Sequence, residues 1–261
     1  MGVFVCQRRS GACQKKLVAY NLSMKIFKKM WGGNTLYYPG CLTKFASKDQ
    51  MEKYKKILKE EGIDFIMLKD KEMCCGSPVK NAGAKDVFLD LAKKNLAIFH
   101  DHGIDRIISN CPSCTAVFKN DYKELLGEEW DIEVLHISEV IDKSLTTLMK
   151  VTKGEVATFH DPCHLGRVLG IYDQPREIIK KAGYKFVEME NSGKKSSCCG
   201  AGGGVRGNEN TLSARIGTDR VSEAKKTGTD VLVTNCPMCY KQLDDNSGDF
   251  KVLELCDLFN L

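Results

Sequence analysis

An α/β architecture of two pseudo-symmetric lobes, each a mostly parallel sheet flanked by helices with cysteine loops at the strand carboxyl ends, is predicted by three observations. Short apolar runs alternate with amphipathic segments of helical period, the pattern of a parallel sheet. Cysteines follow those runs directly, and loops after parallel strands gather at one sheet edge. The cysteine pattern also repeats: Cys163 lies 122 residues after Cys41, Cys198-Cys199 lie 124 after Cys74-Cys75, and Cys236 and Cys239 lie 125 after Cys111 and Cys114. A repeat that long exceeds solenoid periods and means two like domains. The expected boundaries are an N-terminal extension over 1–34, a first cysteine-rich domain over 35–150 and a second over 151–261.

The elements follow in order. Residues 1–34 carry Cys6, Cys13 and scattered basic residues without a clear period. Thr35–Pro39 is a β-prone run ending at Gly40-Cys41, and Lys48–Gly62 places Met51, Tyr54, Ile57 and Leu58 on one helical face. Ile63–Leu68 is apolar except at Asp64 and of strand length, delivering the chain to Cys74-Cys75. A helix from about Ala84 to His102 turns Val87, Phe88, Leu91, Ala92 and Phe99 inward, and Gly103 stops it. A strand at Arg106–Ser109 feeds Cys111-Pro112-Ser113-Cys114 and a helix through Phe118, Tyr122, Leu125 and Leu126, with Pro112 suited to its first position. Ile132–His136 is a further strand, and Ser138 is expected to cap a helix reaching Lys150.

The second half repeats this plan. Glu155–His160 is a strand ending in Asp161-Pro162-Cys163, a helix runs from about Gln174 to Ala182, and Tyr184–Met189 leads to Cys198-Cys199 and the glycine run. A helix over roughly Glu209–Lys226 precedes a strand at Val231–Thr234, which feeds Cys236-Pro237-Met238-Cys239, and Lys251–Leu255 closes the sheet. The tails correspond: Val134-Leu135-His136 with Ser138-Glu139 matches Val252-Leu253-Glu254 with Cys256-Asp257.

Composition bounds the function. At 261 residues, 43% hydrophobic and 28% charged, the chain reads as a soluble globular protein. A net charge of +5, with Lys and Arg interleaved among Glu and Asp, describes a solvated surface rather than a nucleic-acid stripe. No apolar run spans a membrane, and Met1–Lys16 lacks the apolar stretch of a secretory signal. The expected location is the cytoplasm, with any membrane association made through a partner. There thirteen cysteines stay reduced, and clustered reduced thiols bind metal or do redox work.

Each half supplies five thiols: Cys41, Cys74, Cys75, Cys111 and Cys114, then Cys163, Cys198, Cys199, Cys236 and Cys239. Vicinal cysteines make poor structural disulfides, because neighbours on a trans peptide do not easily reach bridge geometry. Zinc is the competing reading, yet tetrahedral zinc takes four ligands and a fifth thiolate is surplus. Iron-sulfur chemistry spreads thiolates over several irons and absorbs five. Glycines 200 and 202–204 would let backbone N–H groups approach sulfur, and Pro112 and Pro237 would start helices whose positive ends face the thiolates. The glycines lack the Lys-Ser/Thr of a phosphate loop. No flavin or nicotinamide motif appears, so a partner must supply or accept electrons.

Other candidates are assigned more modest roles. His160 and His164 flank Cys163 and are expected just behind the ligands, where either could tune a metal site or move a proton. His100 and His102 end a helix and suit its negative terminus, His136 reads as a packing residue, and Asp161 and Arg167 are candidates for supporting the ligand loops. Cys6 and Cys13 lack ligand spacing and read as unligated thiols; Cys256 has no assigned role.

The ten-cysteine pattern, with the strings HDPCHLGR, CCGAGGG and NCPMC, resembles the cysteine-rich CCG-domain proteins, whose best-known members are heterodisulfide reductase catalytic subunits. The resemblance covers about residues 35–260. It implies that each five-cysteine set binds a noncubane 4Fe-4S cluster and that a disulfide substrate is cleaved between the two clusters. The family also includes iron-sulfur subunits of glycolate, lactate and glycerol-3-phosphate oxidation systems, so the motif does not fix the substrate, and an electron relay with no substrate of its own is the alternative. Many relatives carry an N-terminal ferredoxin-like domain that Cys6 and Cys13 cannot build. Either electrons are then expected to arrive from a separate flavin- or ferredoxin-type subunit, or the gene is a shortened relative.

Overall fold

A computed structural model describes residues 33–141 and 154–261. Cys6, Cys13 and the expected helix beyond Ile141 lie outside the described residues. The first half runs β1 (Asn34–Tyr37), α1 (Gly40–Ala46), α2 (Lys48–Glu60), α3 (Ser77–Asn81), α4 (Lys85–Asp101), β2 (Ile104–Ser109), α5 (Pro112–Ala116), a π-helical turn (Val117–Asp121), α6 (Tyr122–Leu126), β3 (Glu133–His136) and α7 (Ile137–Ile141). The second runs β4 (Val156–His160), a π-helical turn (His164–Val168), α8 (Asp173–Lys181), β5 (Lys185–Phe186), α9 (Val205–Asn208), α10 (Asn210–Lys225), β6 (Val231–Thr234), α11 (Pro237–Asp244) and β7 (Lys251–Glu254).

The named strands pair in parallel, in two sheets of order β1-β2-β3 and β5-β4-β6-β7. A bridge from Leu36 to Ile66 puts the chain beside β1 just where β5 stands beside β4, so both halves share one strand order. The registers bring the carboxyl ends level: Ser109 faces His136, and Thr234 faces both His160 and Glu254. The loops that carry Cys41, Cys111, Cys163 and Cys236 therefore leave from aligned strand ends.

Alternation along the strands divides the core. Tyr37 and Ile108 of the first sheet, with Ala157, Phe159, Val231 and Val233 of the second, enter one cluster that also takes in Tyr54, Ile57 and Leu58 of α2 and Ile178 and Ile179 of α8. The opposite faces pack separately: Leu36, Ile107 and Val134 with α4 and the 112–126 helical stretch, Leu232 and Val252 with α10 and α11. Each fully buried Ile or Leu stabilises by about 1.5–3 kcal/mol, so the shared cluster fixes the two sheets against each other.

Several expectations are corrected. Val87, expected inward, is 58% exposed, because the buried stripe of α4 is Phe88, Ala92, Asn95, Leu96 and Phe99, and Val87 sits one helical step off it. Leu125 is 40% exposed, because the π-helical turn at 117–121 carries an extra residue and rotates the face beyond it. Ile63–Leu68 and Tyr184–Met189 form a single bridge and a two-residue strand rather than full strands. Asn34, assigned to the extension, already starts β1.

Ser138 does not cap a helix from outside. It lies within α7 and its hydroxyl pairs with His136 Nδ1 at 2.8 Å. The cap is His136, whose Nδ1 accepts from the Ser138 N–H at 3.3 Å while its own N–H donates to the Glu139 carboxylate at 2.8 Å, matched by the Glu254 N–H donating to Asp257 at 3.0 Å. Burial pushes His136 down to about 3, so it packs as a neutral ring.

At the junction of the halves, Glu254 is fully buried and accepts from Tyr54 Oη (2.6 Å), Asn235 Nδ2 (3.1 Å) and the Cys256 N–H (2.9 Å). Burial outweighs these donors and pushes its carboxyl up to about 7. A carboxyl raised on folding stabilises fully below its unfolded pKa and loses that contribution as pH rises through the folded value. Relative to E254Q, the wild type is expected to lose on the order of 3 kcal/mol between about pH 4.5 and 7 in urea titrations. Parallel curves for the two proteins would refute this.

Candidate metal centres

The cysteine loops begin where the strands end. Cys41 opens α1 four residues after β1, Cys111 stands two residues after β2, Cys163 three after β4 and Cys236 two after β6. Pro112 and Pro237 take the first position of their helices, as expected, with Cys111 and Cys236 at the caps. The Cys114 thiol above all lowers the pKa of Cys111, and the backbone N–H groups of Cys114 and Ser113 at the helix start add to this.

The structure brings all five thiols of the first half together. Cys41 lies within reach of Cys74, Cys74 of Cys75, Cys75 of Cys114 and Cys114 of Cys111, so the charge on each thiol acts on the next. Charge concentrates on Cys74, whose pKa is held far below the usual thiol range by donation from Cys41 and then Cys75, while Cys41 is pushed up in exchange. In the second half the chain of thiols runs Cys198, Cys199, Cys239, Cys236. Cys199 is the low one, held down by Cys198 and Cys239 and then by His160. Cys163 is within electrostatic reach of Cys236 and Cys199, but its own contact is His164 Nδ1 at 3.4 Å.

Every described cysteine is free. Cys75, Cys114, Cys199, Cys236, Cys239 and Cys256 are buried, Cys41 and Cys198 are exposed, and the rest are half-buried. Cys256 belongs to the shared core and to neither thiol group.

The vicinal pairs turn on matched glycines. Gly76 (φ +93°) and Gly200 (φ +89°) each send an N–H to the first sulfur of the pair at 3.4 Å. A side chain is barred at both: its Cβ would stand 2.7 Å from the Phe88 ring at Gly76 and 2.8 Å from the Ser213 carbonyl oxygen at Gly200. The rest of the run at 202–204 is exposed and leads into α9, so the sulfur contact belongs to Gly200.

Hydrogen bonds pin the loops from behind. Asn95 Nδ2 donates to the Cys74 carbonyl (2.9 Å), Tyr122 Oη to the Cys75 carbonyl (3.1 Å) and Tyr38 Oη to the Met73 carbonyl (2.8 Å). In the second half Arg167 donates to the Ser196 carbonyl (2.7 Å) and Ser213 to the Gly200 carbonyl (3.0 Å). Asp161 is held bidentately by Arg176 at 2.7 and 2.9 Å, so it clamps the loop. His102 Nδ1 meets the Ile98 carbonyl at 2.8 Å near the end of α4, the helix-end contact expected, and His100 Nε2 lies 3.5 Å from Asp131.

The donor set fits a polynuclear soft metal group. Four or five thiols crowd so closely that one ionised sulfur suppresses its neighbours, a conflict that cations between them remove. The five groups of the first half exceed a tetrahedral site.

The profile of the CCG cysteine-rich domain matches residues 35–119 and again 157–244. The chain belongs to this family. Its relatives are iron-sulfur oxidoreductase subunits. The chain is 35% identical over 225 residues to a subunit of the dihydromethanophenazine:CoB–CoM heterodisulfide reductase of Methanosarcina acetivorans, covering 84% of this chain and 55% of that one. It is 32% identical over 236 residues to a subunit of the fumarate reductase (CoM/CoB) of Methanothermobacter marburgensis, covering 88% and 46%. To the EtfAB:quinone oxidoreductase of Syntrophomonas wolfei it is 32% identical over 222 residues, covering 80% and 31%. The chain thus spans about half or less of the length of these relatives. A crystallised hypothetical protein from Helicobacter pylori shares the fold, with a TM-score of 0.60 at 14% identity over 86% of this chain and 47% of that one.

Arg220 is a residue of the site that motif and spacing do not single out. It is 2% exposed, and its Nε donates to His160 Nδ1 at 3.0 Å. The repeat does carry a signal for it: the buried stripe of α10, Ser213, Gly217, Arg220, Val221 and Ala224, falls 125 residues after that of α4, residue for residue. A basic residue on that stripe cannot face solvent.

Proposed function

We propose that the chain is the electron-transferring part of an iron-sulfur oxidoreductase, organised as cysteine-rich domains over 35–150 and 151–261. One 4Fe-4S cluster of noncubane type would be held by Cys41, Cys74, Cys75, Cys111 and Cys114, and a second by Cys163, Cys198, Cys199, Cys236 and Cys239. The carrying observation is the double convergence of thiols at the carboxyl edges of two like sheets. Such clusters supply one-electron storage that side chains lack.

The protein's own part is to hold thiolates in place and to exclude water from the buried ones. Exposed Cys41 and Cys198 leave each site an open side for a substrate or partner. The substrate class is a small disulfide or thiol, as in the relative named a heterodisulfide reductase. His164, against Cys163 and close enough to Lys80 and Asp121 of the first half for their charges to act on it, is the proton-transfer candidate; burial above all lowers its pKa, so it rests neutral and takes a proton only transiently. A redox partner, flavin- or ferredoxin-type, would exchange electrons with the clusters.

A second reading, a relay with no substrate of its own, draws support from relatives named for fumarate and quinone chemistry. Anaerobic purification with iron and sulfide analysis is expected to find equal iron and labile sulfide. Zinc without sulfide would end both readings. Supplied with a reductant, the loaded chain should cleave a heterodisulfide; electron passage between partners without any cleavage would select the relay.

A further inference from the structure

The two thiol groups are built alike but are not surrounded alike. Arg220 is gripped on all sides: Nε on His160 Nδ1, Nη1 on the Asn191 carbonyl (2.9 Å) and Glu223 (2.6 Å), Nη2 on Ser196 Oγ (3.0 Å). A guanidinium only donates, so His160 Nδ1 must accept. In the neutral ring the proton then sits on Nε2. That nitrogen is buried and has no hydrogen-bond partner among the described residues, and a ring nitrogen of His160 lies within 4.8 Å of Cys199 and Cys239 sulfurs. A ring locked this way has no lone pair left for a metal, so it is a donor and not a ligand.

The first half lacks the device. The offset of 122 residues carries His160 onto Tyr38, and that of 125 carries Arg220 onto Asn95. Tyr38 spends its hydroxyl on the Met73 carbonyl, and neutral Asn95 donates to the Cys74 carbonyl and to Tyr122.

We propose that Arg220 is a positioning residue that holds His160 as an N–H donor to the thiolates of Cys199 and Cys239, making the second cluster the more readily reduced of the two. Hydrogen bonds to cluster sulfur withdraw electron density and favour the reduced state. The inference rests on the proposed two-cluster reading and gives it a direction, with the electron resting at the second site.

The test is a potentiometric titration followed by electron paramagnetic resonance on the full chain, loaded anaerobically with iron and sulfide. In H160F and R220Q the reduced-to-oxidised ratio of the second cluster at a fixed potential should fall about tenfold, equal to 59 mV for one electron, with the first cluster unmoved. H160F leaves Arg220 its other partners and keeps the test intact where R220Q misfolds. A wild-type exchangeable-proton coupling at the second cluster should vanish in H160F. Unmoved potentials, equal shifts at both clusters, a directly bonded nitrogen coupling from His160, or loss of the second cluster in both variants would each overturn the inference. A wild type that loads no iron would overturn it together with the two-cluster reading, whereas loaded clusters with unmoved potentials would sink the inference alone.

Discussion

Cys199→Ser is expected to halve the iron and labile sulfide bound per chain and to abolish one of two paramagnetic signals. Cys199 is the hub of its group: Cys198 and Cys239 both act on its sulfur, it is 4% exposed, and it leads directly into Gly200, whose φ of +89° favours glycine. Serine replaces a soft, polarizable sulfur with a hard hydroxyl that stays protonated, a poor iron ligand in a thiolate site. The side chains are similar in size, so the fold should survive and the loss should be confined to the metal.

The first site provides the control. Its hub is Cys74, and Cys74→Ser should remove the other signal, because the two thiol groups are assembled on different sheets. Iron content unchanged in Cys199→Ser would refute the ligand assignment. Loss of all iron in either variant would show that the two sites assemble as one unit.

The parts of this protein written in local periodicity are legible from the amino acids alone. Val231–Thr234 is a short apolar run between turn signals, Lys251–Glu254 is a brief strand with Val252 and Leu253 at its centre, and Cys236 behind the first of them marks the sheet edge. The repeat arithmetic sorts ten cysteines into two groups without a single distance. What periodicity misses is set by tertiary demand. Ile63–Leu68 is apolar except at Asp64 because Ile63, Phe65 and Met67 pack on one core and Ile66 and Leu68 on another, and this double burial mimics a full strand although one bridge forms. Arg220 on α10 looks in sequence like one more basic residue of a solvated helix face. The match of its stripe to that of α4 hints that it is interior, and its four acceptors, drawn from β4, α10 and the loop over 191–196, show what holds it there.

Arg176→Met is expected to cost about 3–5 kcal/mol of stability, the penalty of leaving a buried charge without its partner. Arg176 lies across the Phe159 and Phe186 rings at 5.4 and 5.8 Å and grips Asp161, which is 3% exposed, with both ends of its fork. Its other partner, Glu188, is bonded at 2.6 and 3.0 Å but half-open to water, and can rehydrate when the guanidinium is gone. Asp161 cannot. It precedes Cys163 by two residues and accepts the Gly193 N–H at 2.8 Å, so this one carboxylate ties the Cys163 loop to the segment that leads into Cys198-Cys199. The double variant R176M/D161N removes the stranded charge while keeping an oxygen for Gly193, and should recover most of the loss in urea titrations. A cost under about 1 kcal/mol for R176M would class the pair with surface ion pairs. The stronger check is at the metal: R176M should loosen iron at the second site and spare the first, because the clamp touches only the loops of the second sheet.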